Sequence, residues 1–520
     1  MPPTFTYPGV YIEEIPSAVH TITGVATSIA AFVGWAAAGP TSTATLVQSF
    51  SDFANQFGGL DSRSVLGYSV NQFFGNGGQQ AYIVRLVAPD AKIGTIPVPA
   101  SGGGAAFTAN AFDEGLWSKQ YGLRIVQNPS DPTRFSLLVV YTPTANQEAT
   151  VENFSNLSMV ASDAQSRYVG SVINDPRTGS QIIQLTAIST APGVQPAPNP
   201  LTSPGLPPSP YMLAGGDDGT VLDPNTAGFH TGLNASGGGT GGVHLLDAIT
   251  FNLLCVPGES DPTQIQSLQG YCHDNRAFCI VDCDQSDTFA SLKSGPNNLI
   301  TGVNSVNSAL YFPWVNAPDP LQQFRVRPFP PCGFVAGLYA ATDAARGVWK
   351  APAGIDASLT GESGLTTVLT DLQNGTLNIQ GINCLRSLPV YGDVVWGART
   401  LRGNDQVGSE WKYVPIRRLA LYLESSLYDG TQWVVFEPND ERLWSQIRLN
   451  VGVFMQGLFQ QGAFQGTTPQ QAYFVKCDGE NNPQSSIDLG IVNILVGFAP
   501  LYPAEFVVIQ IQQMAGQLQS

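Results

Sequence analysis

Positive charge is scarce in this sequence: 23 Lys and Arg stand against 39 Asp and Glu, a formal net charge of −16 over 520 residues. Nucleic acid and anionic membrane surfaces are both recognised through clustered Lys and Arg, so the balance argues against either as the main partner. Histidine is scarcer still, with only His20, His230, His244 and His273. No G-x-S-x-G elbow, P-loop or H-E-x-x-H motif accompanies them, so nothing points to an enzyme. Seven cysteines, an odd number, are scattered without a framework, which suits a reducing compartment better than a disulfide scaffold. Met1 is followed by PPTFTYPG, without the basic region of a signal peptide. The one long uncharged run, residues 22–39, is rich in Thr, Ser, Gly and Ala and reads as a buried strand and loop, not as a membrane span.

What is present is an ordinary apolar fraction, abundant aromatics, 55 Gly and 38 Pro. The length allows about two to four domains with sizeable cores. Residues 382–478 are the most informative stretch and read as a small α/β unit. Residues 394–401 suggest a strand. Ile416, Leu419, Ala420, Leu423 and Leu427 recur at helical spacing. Residues 431–436 form a β-rich run ended by Pro438 and Asn439, and Asp440 and Glu441 open a helix that carries Leu443, Ile447, Val451, Phe454 and Leu458. Residues 471–477 read as another strand.

Before this stretch, residues 1–20 hold Pro2, Pro3, Pro8 and Pro16 around a short strand, residues 9–15, in which Val10 and Ile12 face one way and Tyr11 and Glu13 the other. Such an arm must pair its backbone, either with its own sheet or with a neighbour's. Strands are expected at 30–35 and 81–87, with a helix at 66–74. Residues 91–210 have short β-rich runs at 123–127, 135–141 and 182–185 and read as a mostly β insertion. It ends in residues 191–210, where eight of twenty residues are proline, a semi-extended linker. Residues 237–242 satisfy G-x-G-x-x-G but lack the strand-then-helix setting of a dinucleotide site. From 244 to 320, apolar runs at 253–256, 278–282 and 309–312 alternate with helices at 262–273 and 297–307, the pattern of a parallel α/β layer. The helix at 335–346, full of Ala and Gly, should pack closely against its neighbours. Cys272, Cys279 and Cys283 have the wrong spacing for zinc and read as core, and Asp282, Asp284 and Ser286 begin a calcium loop that Asp287 and Lys293 then spoil. Residues 505–512 form a final strand, with Val507, Ile509 and Ile511 alternating with Val508, Gln510 and Gln512, suited to an edge or to donation.

Several long motifs in register resemble contractile tail sheath proteins, the family of phage tails, R-type bacteriocins and extracellular contractile injection systems. They are VWGARTL, WKYVPIRRL, TQWVVFEPN and AYFVKCD in the C-terminal part, YPGVYIEEI, GVATSIAAFVGWAAAGP and GNGGQQAYIVRL near the start, and NLLCVPG, FCIVDCD, ALYFPWV and the block at 328–354 between them. The resemblance implies a multidomain α/β and α+β chain: a donated arm at 1–20, a central α/β domain at 21–90 plus 211–375, the outward β insertion at 91–210, a C-terminal sheath domain at 376–500, and a donated strand at 501–520. Exchanged strands would complete the C-terminal sheet, using Val10, Tyr11, Ile12 and Glu13 at one end and Phe506, Val507, Val508, Ile509 and Ile511 at the other. Arg417, Arg418, Arg442 and Arg448 belong to a charged region that is either a set of local ion pairs or a face gripping a tube or another subunit. The implied partners are further copies in hexameric rings, an inner tube protein, and baseplate and cap proteins. No cofactor, metal, nucleic acid or membrane insertion is expected. Assembly would take place in the bacterial cytoplasm, with the product a phage tail or a released tail-like particle. A static shell protein, or a hydrolase on the central layer, are the competing readings.

Overall fold

The computed structural model describes residues 20–144, 147–201, 208–235 and 241–510. Contacts divide the chain into a smaller unit, made of residues up to 26, 347–350 and those from 415 on, and a larger unit, residues 27–346 and 351–414.

The larger unit is built on an eight-stranded sheet. It begins with β1 (Ala30–Trp35), β2 (Thr45–Val47) and β3 (Ala81–Leu86), and helices α1 (Phe50–Phe57) and α2 (Leu66–Gly75) fall between the last two strands. The chain then leaves the sheet through β4 (Ile93–Pro99), β5 (Ala105–Glu114), β6 (Tyr121–Gln127), β7 (Phe135–Thr144), β8 (Gln147–Leu157), β9 (Ile183–Thr186) and β10 (Tyr211–Met212). It returns through β11 (Leu253–Cys255), β12 (Phe278–Asp282) and β13 (Ser308–Phe312), makes a hairpin of β14 (Val315–Asp319) and β15 (Arg325–Phe329), and ends in β16 (Ile382–Leu388) and β17 (Gly392–Val395). The order is β17-β16-β13-β12-β11-β1-β3-β2, parallel from β16 to β3 and antiparallel at both margins. Buried on both faces, its central strands are continuous apolar runs, as the sequence implied. The Gly- and Ala-rich helix α3 (Cys332–Arg346) does pack closely: a Cβ on Gly333 would lie 2.4 Å from the Ser69 carbonyl oxygen of α2, and one on Gly337 2.6 Å from that of Phe73.

Some expectations are corrected. The helix expected at 297–307 is two short 3-10 turns, Asn298–Thr301 and Val303–Asn307. The strand expected at 394–401 stops at Val395, because the Asn383 side chain then takes over the backbone, accepting from the Arg399 N–H at 2.7 Å and donating to its carbonyl at 2.7 Å. The pair β16–β17, expected in the C-terminal domain, is built into the large sheet, since Leu310, Tyr311 and Phe312 of β13 pair with Ile382, Asn383 and Cys384. Arg399 is fully buried there, donating to the Asn378 carbonyl at 2.9 Å and to Asp405 at 3.1 Å, so its charge works inside the fold.

The insertion holds a three-stranded sheet, β4-β5-β9, and a four-stranded sheet, β10-β6-β7-β8, around a core that includes Phe107, Leu123, Phe135, Leu137 and Ile183. Its two ends meet: Lys92 and Asp217 exchange backbone hydrogen bonds of 2.9 and 3.0 Å. The proline-rich tract is not a free linker. Proline lacks the N–H a strand must donate, but Asn199 substitutes, accepting from the Ile125 N–H at 2.7 Å and donating to the Leu123 carbonyl at 2.9 Å, so the chain around Asn199 docks on β6. All seven cysteines are buried and unpaired, and Cys272, Cys279 and Cys283 belong to the sheet's apolar core.

Candidate assembly interface

The smaller unit starts from two helices. In α4 (Val414–Gly430), Leu419 and Leu423 face the core. In α5 (Glu441–Gln460), Leu443, Trp444, Ile447, Val451, Met455 and Leu458 do so. Asp440 caps α5, its Oδ1 accepting from the N–H groups of Arg442 and Leu443 at 2.9 and 3.1 Å. Residues 20–26 lie on α4 and the turn that follows it. The His20 ring stacks on Trp433 with centroids 4.2 Å apart, Ile22 is buried, and the Val25 N–H donates to Ser426 Oγ at 3.2 Å. Gly24 is required there, because a Cβ would lie 1.9 Å from the Tyr422 hydroxyl. Val10, Tyr11, Ile12 and Glu13 precede this segment and lie outside the described residues, as does Ile511.

Against these helices sits a sheet of only two strands, β18 (Tyr473–Lys476) and β19 (Leu495–Phe498). Tyr473, Val475, Val496 and Phe498 turn inward, half-buried, while Phe474 and Leu495 face outward, 54% and 52% exposed. β19 is therefore short and only half covered. The Phe474 ring lies across the strand onto Gly497, where a Cβ would be 2.1 Å from it. The connection between the strands is held by an amide network not singled out in the sequence: Asn481 donates to the carbonyls of Lys476 and Asn493 at 3.1 and 2.8 Å, and Asn482 accepts from the Asn493 N–H at 2.6 Å. The run D-G-E-N-N-P at 478–483 was the available signal. Two strands alone are marginal in water, and among the described residues no third strand pairs with either outer edge.

Residues 501–510 follow without helix or strand. Phe506, Val507, Val508 and Ile509 are 75–81% exposed. Burying such side chains is worth about 1.5–3 kcal/mol each.

The four nominated arginines separate. Arg417 and Arg418 are buried on α4, the first paired with Glu424 at 3.1 Å. Arg448 donates to the Cys477 carbonyl, to Glu441 at 2.6 Å and to Ser445 at 2.9 Å. Arg442 is the exposed one. The β-rich run expected at 431–436 is instead a 3-10 turn, Gln432–Val434, followed by a tight bend; among the described residues no strand pairs with it, and the Thr431 hydroxyl closes the end of α4 on the Leu427 carbonyl at 2.7 Å.

Solved structures with this fold are sheath proteins. The helical sheath of the anti-feeding prophage in its contracted state matches with a TM-score of 0.57 at 22% identity, covering 98% of this chain and all of that one. The sheath of an extracellular contractile injection system, PVC, in its contracted state matches with 0.57 at 21%, covering 98% of each chain. A sheath tail protein from Listeria innocua gives 0.58 at 12% identity, covering 92% of this chain and 97% of that one. In sequence, the family model for the phage tail sheath central domain matches residues 240–401, and that for the phage tail sheath C-terminal domain matches 406–514, together more than half of the chain. A putative prophage major tail sheath protein of Pseudomonas aeruginosa is 27% identical over 283 residues, 53% of this chain and 69% of that protein. The tail sheath protein of Vibrio phage KVP40 is 29% identical over 165 residues, 32% of this chain but only 23% of its own length. The chain belongs to the phage tail sheath family and is a structural sheath subunit.

Proposed function

We propose that copies of this chain stack as hexameric rings around an inner tube, bounded by baseplate and cap proteins, and that the polymer shortens to drive the tube through a target envelope. The observation that carries this reading is the exposed run Phe506–Ile509 in the same unit as a two-stranded sheet with open edges. A segment of this kind gains by adding to a neighbour's sheet edge, where each backbone hydrogen bond contributes about 0.5–1.5 kcal/mol net. Residues 10–13 would fill the second position. Strands joined through flexible connections let subunits rotate without parting, whereas packed side-chain faces lose contact over small displacements. Arg442 would face the tube or a neighbouring subunit. Energy would be stored in the assembled polymer, without nucleotide, and assembly would precede release of a tail or tail-like particle from the bacterium.

Sedimentation of the full chain and of a variant lacking residues 501–520, with circular dichroism on both, tests the reading. The full chain should pellet as tubes and the folded variant should stay in the supernatant. Tubes from the truncated chain would overturn strand donation at this end.

A further inference from the structure

Nine non-glycine residues have positive φ among the described residues, and six of them are Asn, Ser, Ala, Arg or Gln. The other three are bulky and apolar: Phe324 (φ 60°), Val390 (φ 77°) and Phe436 (φ 72°). All three are at the surface, 68%, 98% and 102% exposed. Left-handed backbone is strained for such side chains, and exposing them adds nothing to the chain's own core, so the strain persists where something outside the chain uses the residue.

Phe436 sits in a bend with the form of a type II turn. Val435 has φ −67° and ψ 128°, and the Glu437 N–H donates to the Val434 carbonyl at 3.2 Å, which puts Phe436 where glycine is normally required. Val435 beside it is 59% exposed, and the flanking charges are acidic: Glu437, then Asp440 and Glu441. Phe324 sits at the tip of the β14–β15 hairpin, after Gln323 at φ 56°. Its exposed neighbours are Leu321, Val326 and Arg325, a cation at an open position in a chain with few of them. Val390 is flanked by Pro389 and Tyr391 and has no adjoining charge.

We infer that these two charged tips are the halves of one contact between copies of this chain, the acidic apolar turn at 434–437 of one copy docking on the basic apolar hairpin tip at 321–326 of the next. The inference rests on the assembly reading above and adds the partner surfaces. Opposite charges beside each aromatic anchor select the pairing and its register, while the aromatic residues supply the buried area. Two different surfaces meeting head to tail in this way make a heterologous contact, which builds a ring where the rotation closes and an open helical polymer where it does not.

The experiment uses the full chain, with assembly read by sedimentation and negative-stain microscopy. Phe436→Gly should raise the melting temperature of the unassembled subunit, because the strain is relieved, yet lower the assembled fraction by about tenfold. Glu437→Arg and Arg325→Glu should each impair assembly, and the two together should restore it to within about twofold of wild type. Wild-type assembly by Phe436→Gly, or a double reversal that assembles no better than the single ones, overturns the pairing alone. A wild-type chain that never polymerises overturns the assembly reading and the pairing with it.

Discussion

Asp282 closes β12 and ties three elements together. Its Oδ2 accepts from the Gly258 N–H at 2.9 Å and its Oδ1 from the Cys332 N–H at 2.8 Å, so one carboxylate holds the turn after β11 and the first residue of α3. Burial pushes its pKa up from 3.8 to about 6, despite both hydrogen bonds. The folded chain thus holds this proton more tightly than the unfolded chain does. Stability from this group is greatest below the unfolded value and falls as pH rises toward the folded one, by about 3 kcal/mol in all. Asp282→Asn cannot ionise, but it presents one acceptor to two N–H groups and leaves one unmet, at a cost of about 1–3 kcal/mol. Near about pH 4.5 most of that cost still stands, and near about pH 7.5 it is offset because no charge is buried. Urea unfolding of both proteins across this range, followed by tryptophan fluorescence, should show the wild-type advantage shrinking by about 2 kcal/mol as pH rises. An advantage that is constant, or that grows with pH, would refute the reasoning.

Three further outcomes follow from the packing. Deleting residues 93–216 behind a short Gly-Ser bridge should leave a soluble, folded chain, since Lys92 and Asp217 already meet; circular dichroism and gel filtration check this, and an insoluble product would make the insertion part of the core. Its loss removes the Glu114 carbonyl that accepts from the buried Arg85 at 2.9 Å, so a melting temperature a few degrees lower is expected. Gly337→Val should cost about 1–3 kcal/mol or more by calorimetry, because its side chain would enter the α2 backbone, and an unchanged melting temperature would contradict that approach. Arg399→Met should cost about 1–3 kcal/mol in urea unfolding, because it removes a buried donor to the Asn378 carbonyl and to Asp405, which keeps Lys412; an unaffected fold would return Arg399 to the list of surface charges.

The parallel strands were legible because a strand buried on both faces has to be apolar throughout, and β1, β12 and β13 are. Helices α4 and α5 were legible from one-sided spacing and from the cap at Asp440. Residues 431–436 misled because β propensity describes fit to a neighbouring strand, and none is there. The tract at 191–210 misled because proline content reports the missing donors, while the docking uses the Asn199 side chain and the backbone of Gln195, Pro196 and Ala197. Charge density marked the region around Arg417 and Arg418 but could not tell a buried guanidinium from an exposed one. Turn strain at Phe324 and Phe436 is a backbone property that appears only with the dihedral angles.

A cryo-electron microscopy reconstruction of tubes assembled from the full chain tests the central claim most directly. Density for residues 505–512 should run as a strand along an outer edge of the β18–β19 pair of a neighbouring copy, with residues 9–15 of another copy on the sheet as well. Density showing residues 505–512 folded back onto their own subunit, with neighbours joined only through side-chain faces, would contradict it.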